Sequence, residues 1–119
     1  LEIGKELLKG HIDTLILSLL YKHDRYGYEI AKMVRDHSGG AFELKEGTLY
    51  LSLKRLEKKQ WIASYWGNDQ GSGGRRKYYR MTDEGCENFY IKVKEWNFIK
   101  TLMDSFIEEE VKEGENENR

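Results

Sequence analysis

Two stretches of this chain combine residue types that bind nucleic acid. Glu46-Gly-Thr-Leu-Tyr-Leu-Ser-Leu-Lys-Arg-Leu-Glu57 places leucines at helical spacing and cations on the opposite face. Gly73-Gly-Arg-Arg-Lys-Tyr-Tyr79 is a glycine-tipped turn that opens into a basic, tyrosine-bearing strand. Ammonium and guanidinium groups pair with phosphate oxygens, and a short helix can carry side chains to base edges in the major groove. A cationic helix beside a cationic hairpin is how a winged helix-turn-helix grips duplex DNA.

Charge supports this only when it is followed along the chain. The formal net charge of -1 over 119 residues looks unsuited to DNA. From Lys45 to Arg80, however, nine basic residues stand against Glu46, Glu57 and Asp69, a local net of +6. From Glu108 to Arg119, six glutamates stand against Lys112 and Arg119, a net of -4. Local field decides what a surface binds. The length suits a single core, and 39% hydrophobic with 34% charged residues suits a surface-rich, mainly helical chain. No apolar run is long enough to span a membrane, and nothing at the N-terminus resembles a signal peptide. A lone Cys86 allows no internal disulfide and fits a reducing compartment, so a cytoplasmic location is expected.

The elements that must position these residues follow from periodicity. Leu7 to Tyr21 is expected as a first helix, with Leu8, Ile12, Leu15, Ile16 and Leu19 on one face. Leu7, Gly10, Thr14, Leu17 and Tyr21 form a second stripe. After a polar break at His23-Asp24-Arg25, a second helix runs from about Tyr26 to His37 and stops at Ser38-Gly-Gly40. Phe42-Glu-Leu44 leads into a third helix that buries Leu49, Leu53 and Leu56. Its outer side carries Gly47, Leu51, Lys54, Arg55 and Lys58, with Thr48 and Tyr50 on the flanks.

Trp61 to Trp66 and Arg75 to Met81 are expected as the two strands of a wing around a turn at 68–74. Thr82 is placed to cap a last helix whose Cys86, Phe89, Val93, Trp96, Met103 and Ile107 form a heptad seam broken at Lys100. Phe98, Ile99, Leu102 and Phe106 add apolar surface, more than one small domain can bury. That excess implies pairing with a second copy. The expected fold is mainly α with a two-stranded β wing. Residues 1–82 form the winged helix-turn-helix, 83–111 the dimerisation helix, and 112–119 a frayed acidic tail.

Gly47-Thr-Leu-Tyr50, Leu53-Lys-Arg-Leu-Glu57, Gly74-Arg-Arg-Lys-Tyr-Tyr79 and Met81-Thr-Asp-Glu-Gly85 in this order resemble the PadR family of bacterial transcriptional regulators, as does Tyr26-Gly-Tyr-Glu-Ile30. The resemblance covers roughly Leu7 to Ile107. Its short C-terminus is similar to the compact subfamily that includes multidrug-sensing repressors. It implies a homodimeric winged-helix repressor that leaves its operator when a small aromatic ligand binds. Two positions depart from the family pattern: Leu51 stands where proline is common, and Gln60 where glycine is usual.

For double-stranded DNA, the candidate contacts are Thr48, Tyr50, Leu51, Ser52 and Lys54 on the third helix, and Tyr26 and Tyr28 at the start of the second. For Tyr28, core packing is an equal alternative. In the wing the candidates are Gly73, Gly74, Arg75 and Arg76, an arginine there being suited to the minor groove. Tyr78 and Tyr79 alternate, so one of them belongs to the core. For a ligand, Trp96 at mid-seam would meet its symmetry mate and either fill the dimer core or form a slot for a flat aromatic molecule, the latter as the multidrug-sensing relatives imply. Val93 and Lys100 lie within a turn of it, and Gly10, Asp13 and Thr14 are the candidate walls.

An enzyme is not indicated. Gly71-Ser-Gly-Gly74 precedes a strand and lacks the lysine and hydroxyl of a phosphate loop. His11, His23 and His37 lack metal-ligand spacing, and no cofactor is called for. The alternative from another class is a winged-helix module that docks a protein through Leu51 and Trp66. The local charge of +6 favours DNA.

Overall fold

A computed structural model of the chain describes residues 4–68 and 74–117. They comprise α1 (Lys5–Leu8), α2 (Ile12–Leu20), β1 (Arg25–Tyr26), α3 (Gly27–His37), α4 (Glu46–Lys58), β2 (Ile62–Trp66), β3 (Lys77–Met81) and α5 (Asp83–Glu117). Two units contain these elements, Leu1–Phe89 and Tyr90–Arg119. The mainly helical winged architecture is as expected, but three details differ.

The single first helix is two. Gly10 has φ 89°, a left-handed conformation that glycine adopts without steric cost, and it separates α1 from α2. The break changes the phase of the buried face. Ile12, Ile16, Leu17 and Leu20 are buried, whereas Leu7 is exposed. Leu17, placed in the secondary stripe, is thus central to the core.

The sheet has three strands in the order β1-β3-β2, all antiparallel. The polar break after α2 contributes the extra one: Arg25 pairs with Tyr79 and Tyr26 with Tyr78. Two residues are too few to show a period-2 pattern, so the strand has no signature of its own. The last helix also runs further than expected. The segment 112–117, expected to fray, is helical in α5.

Burial in the first unit is organised around α4. Its Leu49, Leu53 and Leu56 are 2%, 1% and 0% exposed and join Ile16, Leu17 and Leu20 of α2, Ile30 and Val34 of α3, and Ile62 and Tyr79 of the sheet in one core. Each such side chain removed from water contributes about 1.5–3 kcal/mol. Phe42 and Leu44 plug the connection between α3 and α4. Of the two alternating tyrosines in β3, Tyr79 is the core residue, and its burial raises the phenol above the ordinary tyrosine range.

Both α3 and α4 end in the same hydrogen-bond pattern. After α3, Gly39 N–H donates to the Asp36 carbonyl and Gly40 N–H to the Arg35 carbonyl. After α4, Gln60 N–H donates to Glu57 and Trp61 N–H to Leu56. This paired motif needs a left-handed residue just past the helix, filled by Gly39 (φ 62°) in one case and Gln60 (φ 64°) in the other. The departure noted at position 60 therefore stands where a Cβ is strained.

The next turn is tight as well. Thr82 Oγ1 donates to the Gln60 carbonyl at 2.6 Å and accepts the Gly85 N–H at 3.0 Å, capping α5. Thr82 N–H donates to the Trp61 carbonyl at 3.0 Å. A Cβ on Gly85 would lie 1.9 Å from that same carbonyl oxygen.

These two positions predict opposite outcomes in urea unfolding. Gln60→Gly relieves a strained left-handed residue and is expected to raise the midpoint by the equivalent of about 1 kcal/mol without changing the slope. Gly85→Ala is expected to lower stability by about 3 kcal/mol, because the obstacle is backbone. An unchanged or lower midpoint for Gln60→Gly would show that position 60 carries no strain.

Candidate nucleic-acid interface

Once Leu49, Leu53 and Leu56 are buried, the helical period dictates which residues of α4 face outward. Tyr50, Leu51, Lys54, Arg55 and Lys58 are exposed, Thr48 is half-buried, and Leu51 is 67% exposed. Glu46 lies in the first turn and Arg55 and Lys58 in the last, each sign matching the helix dipole. Ser52 departs from expectation. It is 2% exposed, and its Oγ accepts a hydrogen bond from Arg55 Nη2 at 3.1 Å, so it supports a neighbour.

Tyr50 reaches back over the start of α3. A Cβ on Gly27 would lie 2.5 Å from the Tyr50 hydroxyl, so the missing side chain at 27 makes room for the phenol. Tyr28, for which core packing was an equal alternative, is 64% exposed and stacks on Tyr26 with ring centroids 6.5 Å apart. Three tyrosine-bearing elements thus meet at the N-terminus of α3.

The wing joins this cluster through its register. Tyr26 of β1, Tyr78 of β3 and Tyr65 of β2 are direct cross-strand partners in one row. Tyr26 meets Tyr78 edge-on at 5.5 Å, and Tyr78 stacks on Tyr65 at 5.7 Å. Tyr65 donates its hydroxyl to Asp24 Oδ2 at 2.6 Å, a bond that raises the phenol above its ordinary range. Together they tie the loop before β1 to the far strand.

The wing cations rest on this frame. Arg76 lies 4.7 Å over the Tyr26 ring, and Arg75 Nε donates to the Gly67 carbonyl at 3.3 Å. Gly67 N–H donates to the Arg76 carbonyl at 2.8 Å, extending the pairing one step beyond Trp66 and Lys77, and Gly74 has φ 78°. Gly73 lies outside the described residues. Lys77 sits 5.9 Å over Tyr79 and shares a groove with Tyr50, Lys54 and Lys58 of α4. That groove joins the outer face of the helix to the wing.

The candidate ligand residues are divided. Gly10, Asp13 and Thr14 belong to the first unit and Val93, Trp96 and Lys100 to the second. Gly10 is the helix break, and Thr14 is half-buried. Asp13, a candidate wall of the ligand slot, binds Arg55 of α4: Nη2 to Oδ1 at 2.6 Å and Nε to Oδ2 at 3.1 Å. Of the seam, Phe89 is buried in the first unit with its ring 5.4 Å from that of Tyr21, which makes it a core residue. Cys86 is half-buried. In the second unit Val93 is half-buried, while Trp96, Met103 and Ile107 are 46%, 51% and 53% exposed.

Sequence reasoning did not assign Gly27, Asp24 or the Asp13–Arg55 pair. The pair is separated by 42 residues, and Gly27 matters only because Tyr50 folds onto it, so neither leaves a local pattern. Among the described residues there is no group of three or more acidic, histidine or cysteine side chains able to hold a metal, and no helix is long and apolar enough to cross a membrane.

The chain is also similar to known proteins over most of its length. An uncharacterized protein of Lysinibacillus sphaericus is 42% identical over 106 residues, covering 89% of this chain and 96% of its own. A PadR family transcription regulator of Clostridium difficile R20291 is 56% identical, with a TM-score of 0.74 over 82% of this chain and 99% of that one. A transcriptional regulator of Clostridium thermocellum is 41% identical, with a TM-score of 0.77 over 86% and 98%. The model of the transcriptional regulator PadR-like family matches residues 16–90, which span α3, α4, the wing and the capped start of α5. With its groove-facing helix and basic wing on this framework, the chain belongs to the PadR-like family of transcriptional regulators.

Proposed function

We propose that the protein is a cytoplasmic, homodimeric repressor that binds operator DNA through α4 and the wing and is released by a small aromatic ligand. One observation carries the DNA part: Lys54 and Lys58 of α4 and Lys77 of the wing border one groove, within a segment of net charge +6. In this reading α4 enters the major groove. Thr48, Tyr50, Leu51 and Lys54 face the bases and the nearest phosphates, with Leu51 suited to a thymine methyl. Tyr26 and Tyr28 reach backbone phosphates, and Arg75 and Arg76 follow the adjacent strand or enter the minor groove. Residues 1–82 act as the DNA-binding domain.

Dimerisation through residues 83–111 is supported by the apolar surface of the second unit. Trp96, Ile99, Leu102, Met103, Phe106 and Ile107 are all at least 42% exposed there. A soluble helix with this much uncovered apolar area calls for a partner. A second copy is the partner that the heptad spacing suits. In such a dimer Trp96 and its mate offer a flat slot bordered by Val93 and Lys100. A ligand bound there shifts the separation of the two α4 helices, which must match half-sites about 34–36 Å apart or a multiple of that. It releases DNA to the extent that it favours the mismatched state.

Binding to the chain's own upstream promoter fragment and to a shuffled fragment, titrated with salt, tests the DNA reading. Preference for the promoter that weakens with salt is expected. Tyr50→Ala and Arg75→Ala are each expected to cost about tenfold in affinity. Gly27→Ala should also weaken binding while leaving the fold intact, because its Cβ displaces only the far end of Tyr50. Absence of any shift at low salt would favour protein docking through Leu51 and Trp66. Sedimentation tests the dimer. The parent is expected to sediment as a dimer and Ile107→Asp closer to a monomer, whereas a monomeric parent would refute the seam.

A further inference from the structure

The Asp13–Arg55 pair has a geometry that the binding face described above does not use. Arg55 lies on the flank of α4 away from the wing. It borders a groove with Thr48, Leu51, Gly10 and Asp13, whereas Lys54 and Lys58 border the groove shared with the wing. A helix seated in the major groove has a phosphate strand on each side. The wing side is served by Lys54, Lys58 and Lys77. On the other flank, Arg55 is the cation that α4 itself presents.

Its guanidinium is held in a fixed orientation. Asp13 receives Nε–H and one Nη2–H, and the buried Ser52 Oγ receives a further Nη2 bond. Of the five N–H donors of an arginine, three are thereby committed, and the two on Nη1 remain for an outside acceptor. The pair sits at the surface, with Arg55 side-chain exposure of 50% and Asp13 of 18%. Surface ion pairs contribute little to stability, whereas ordering an arginine before binding removes an entropic cost from the association step.

We propose that Asp13, with Ser52, is a positioning residue for DNA binding, holding Arg55 as a preset phosphate clamp on the flank of α4 opposite the wing. This rests on the reading of α4 as the groove-entering helix. Asp13 brings negative charge close to DNA, so simple electrostatics and positioning predict opposite signs on its removal. Without Asp13 the protein gains a unit of positive charge, and a purely electrostatic surface binds DNA more tightly. A clamp that has lost its support binds more weakly.

The test measures affinity for the promoter fragment as a function of salt for the parent, Asp13→Asn, Arg55→Ala, Arg55→Lys and the Asp13→Asn/Arg55→Ala double variant, with thermal melting of each. Asp13→Asn is expected to weaken binding about tenfold despite its added positive charge. The slope of log affinity against log salt should become shallower by about 0.9, as for Arg55→Ala, which is the signature of one lost phosphate contact. The double variant should bind no more weakly than Arg55→Ala alone. Arg55→Lys keeps the charge without the fork and is also expected to weaken binding, which preserves the test should Asp13→Asn fail to fold.

Equal or tighter binding by Asp13→Asn would overturn the proposal, marking Asp13 as a strut or as a mask over Arg55. Additive losses in the double variant, or parental affinity for Arg55→Lys, would overturn it too. If the parent shifts neither fragment even at low salt, the groove reading of α4 falls first and takes the clamp with it.

Discussion

Around the carbonyl oxygen of Trp61 the chain reconciles three demands within a few ångströms. The groove-facing helix must stop, the first long strand of the wing must start, and the last helix must begin. Trp61 N–H closes the end of α4 on Leu56, and its carbonyl accepts from Thr82. Gly85 lets the first turn of α5 come down on the same oxygen. None of these bonds is strong by itself, each net contribution being about 1 kcal/mol. Their effect is geometric. With the end of α4 and the two ends of the β2–β3 hairpin pinned to one peptide, the wing cannot be displaced from α4 without breaking the junction. The strain at Gln60 is tolerated there because the surrounding bonds over-determine the backbone.

The second constraint comes from the sheet. A two-stranded hairpin is marginal by itself in water. Here β1 adds a third strand beside β3, and the row Tyr26–Tyr78–Tyr65 lies across all three. Because Tyr26 is also the residue that precedes α3, the row links the wing to the N-terminus of that helix. Tyr28 and Tyr50 then extend the aromatic surface from the sheet to α4. The arginines of the wing are thus held on a rigid platform, which is what a binding face needs if it is to lose little freedom on association.

Electrostatics acts through placement more than through total charge. Near-neutral overall, the chain concentrates its cations around α4 and the wing and its anions in the last turns of α5. Two acidic side chains from outside the basic segment bond to residues within it. Asp24 holds Tyr65, and Asp13 holds Arg55. Each carboxylate fixes a side chain of the wing or of α4, so charge here acts through geometry as well as through summation.

Much of this was legible in the primary structure, and the part that was not has a common cause. The leucines of α4 declared both the helix and its outward face, because one buried stripe leaves only one set of residues outside. The strand pattern and glycine-rich turn marked the wing, Thr82 marked the cap, and the alternation in β3 required that one of Tyr78 and Tyr79 be buried. All of these depend on neighbours a few residues apart. The burial of Ser52, three residues after Leu49 and four before Leu56, also lay within reach of the helical period. Hidden from such reading were the third strand at Arg25–Tyr26, the room that Gly27 makes for Tyr50, the packing of Phe89 on Tyr21, and the Asp13–Arg55 pair. Each joins residues far apart in the chain, where periodicity carries no information. The break at Gly10 belongs with them, since glycine permits a left-handed turn without requiring one. Local sequence determined which elements form and which faces they bury. Tertiary packing alone decided which polar side chains reach the surface free to bind and which are held by a partner, because that depends on distances between elements that no single element specifies.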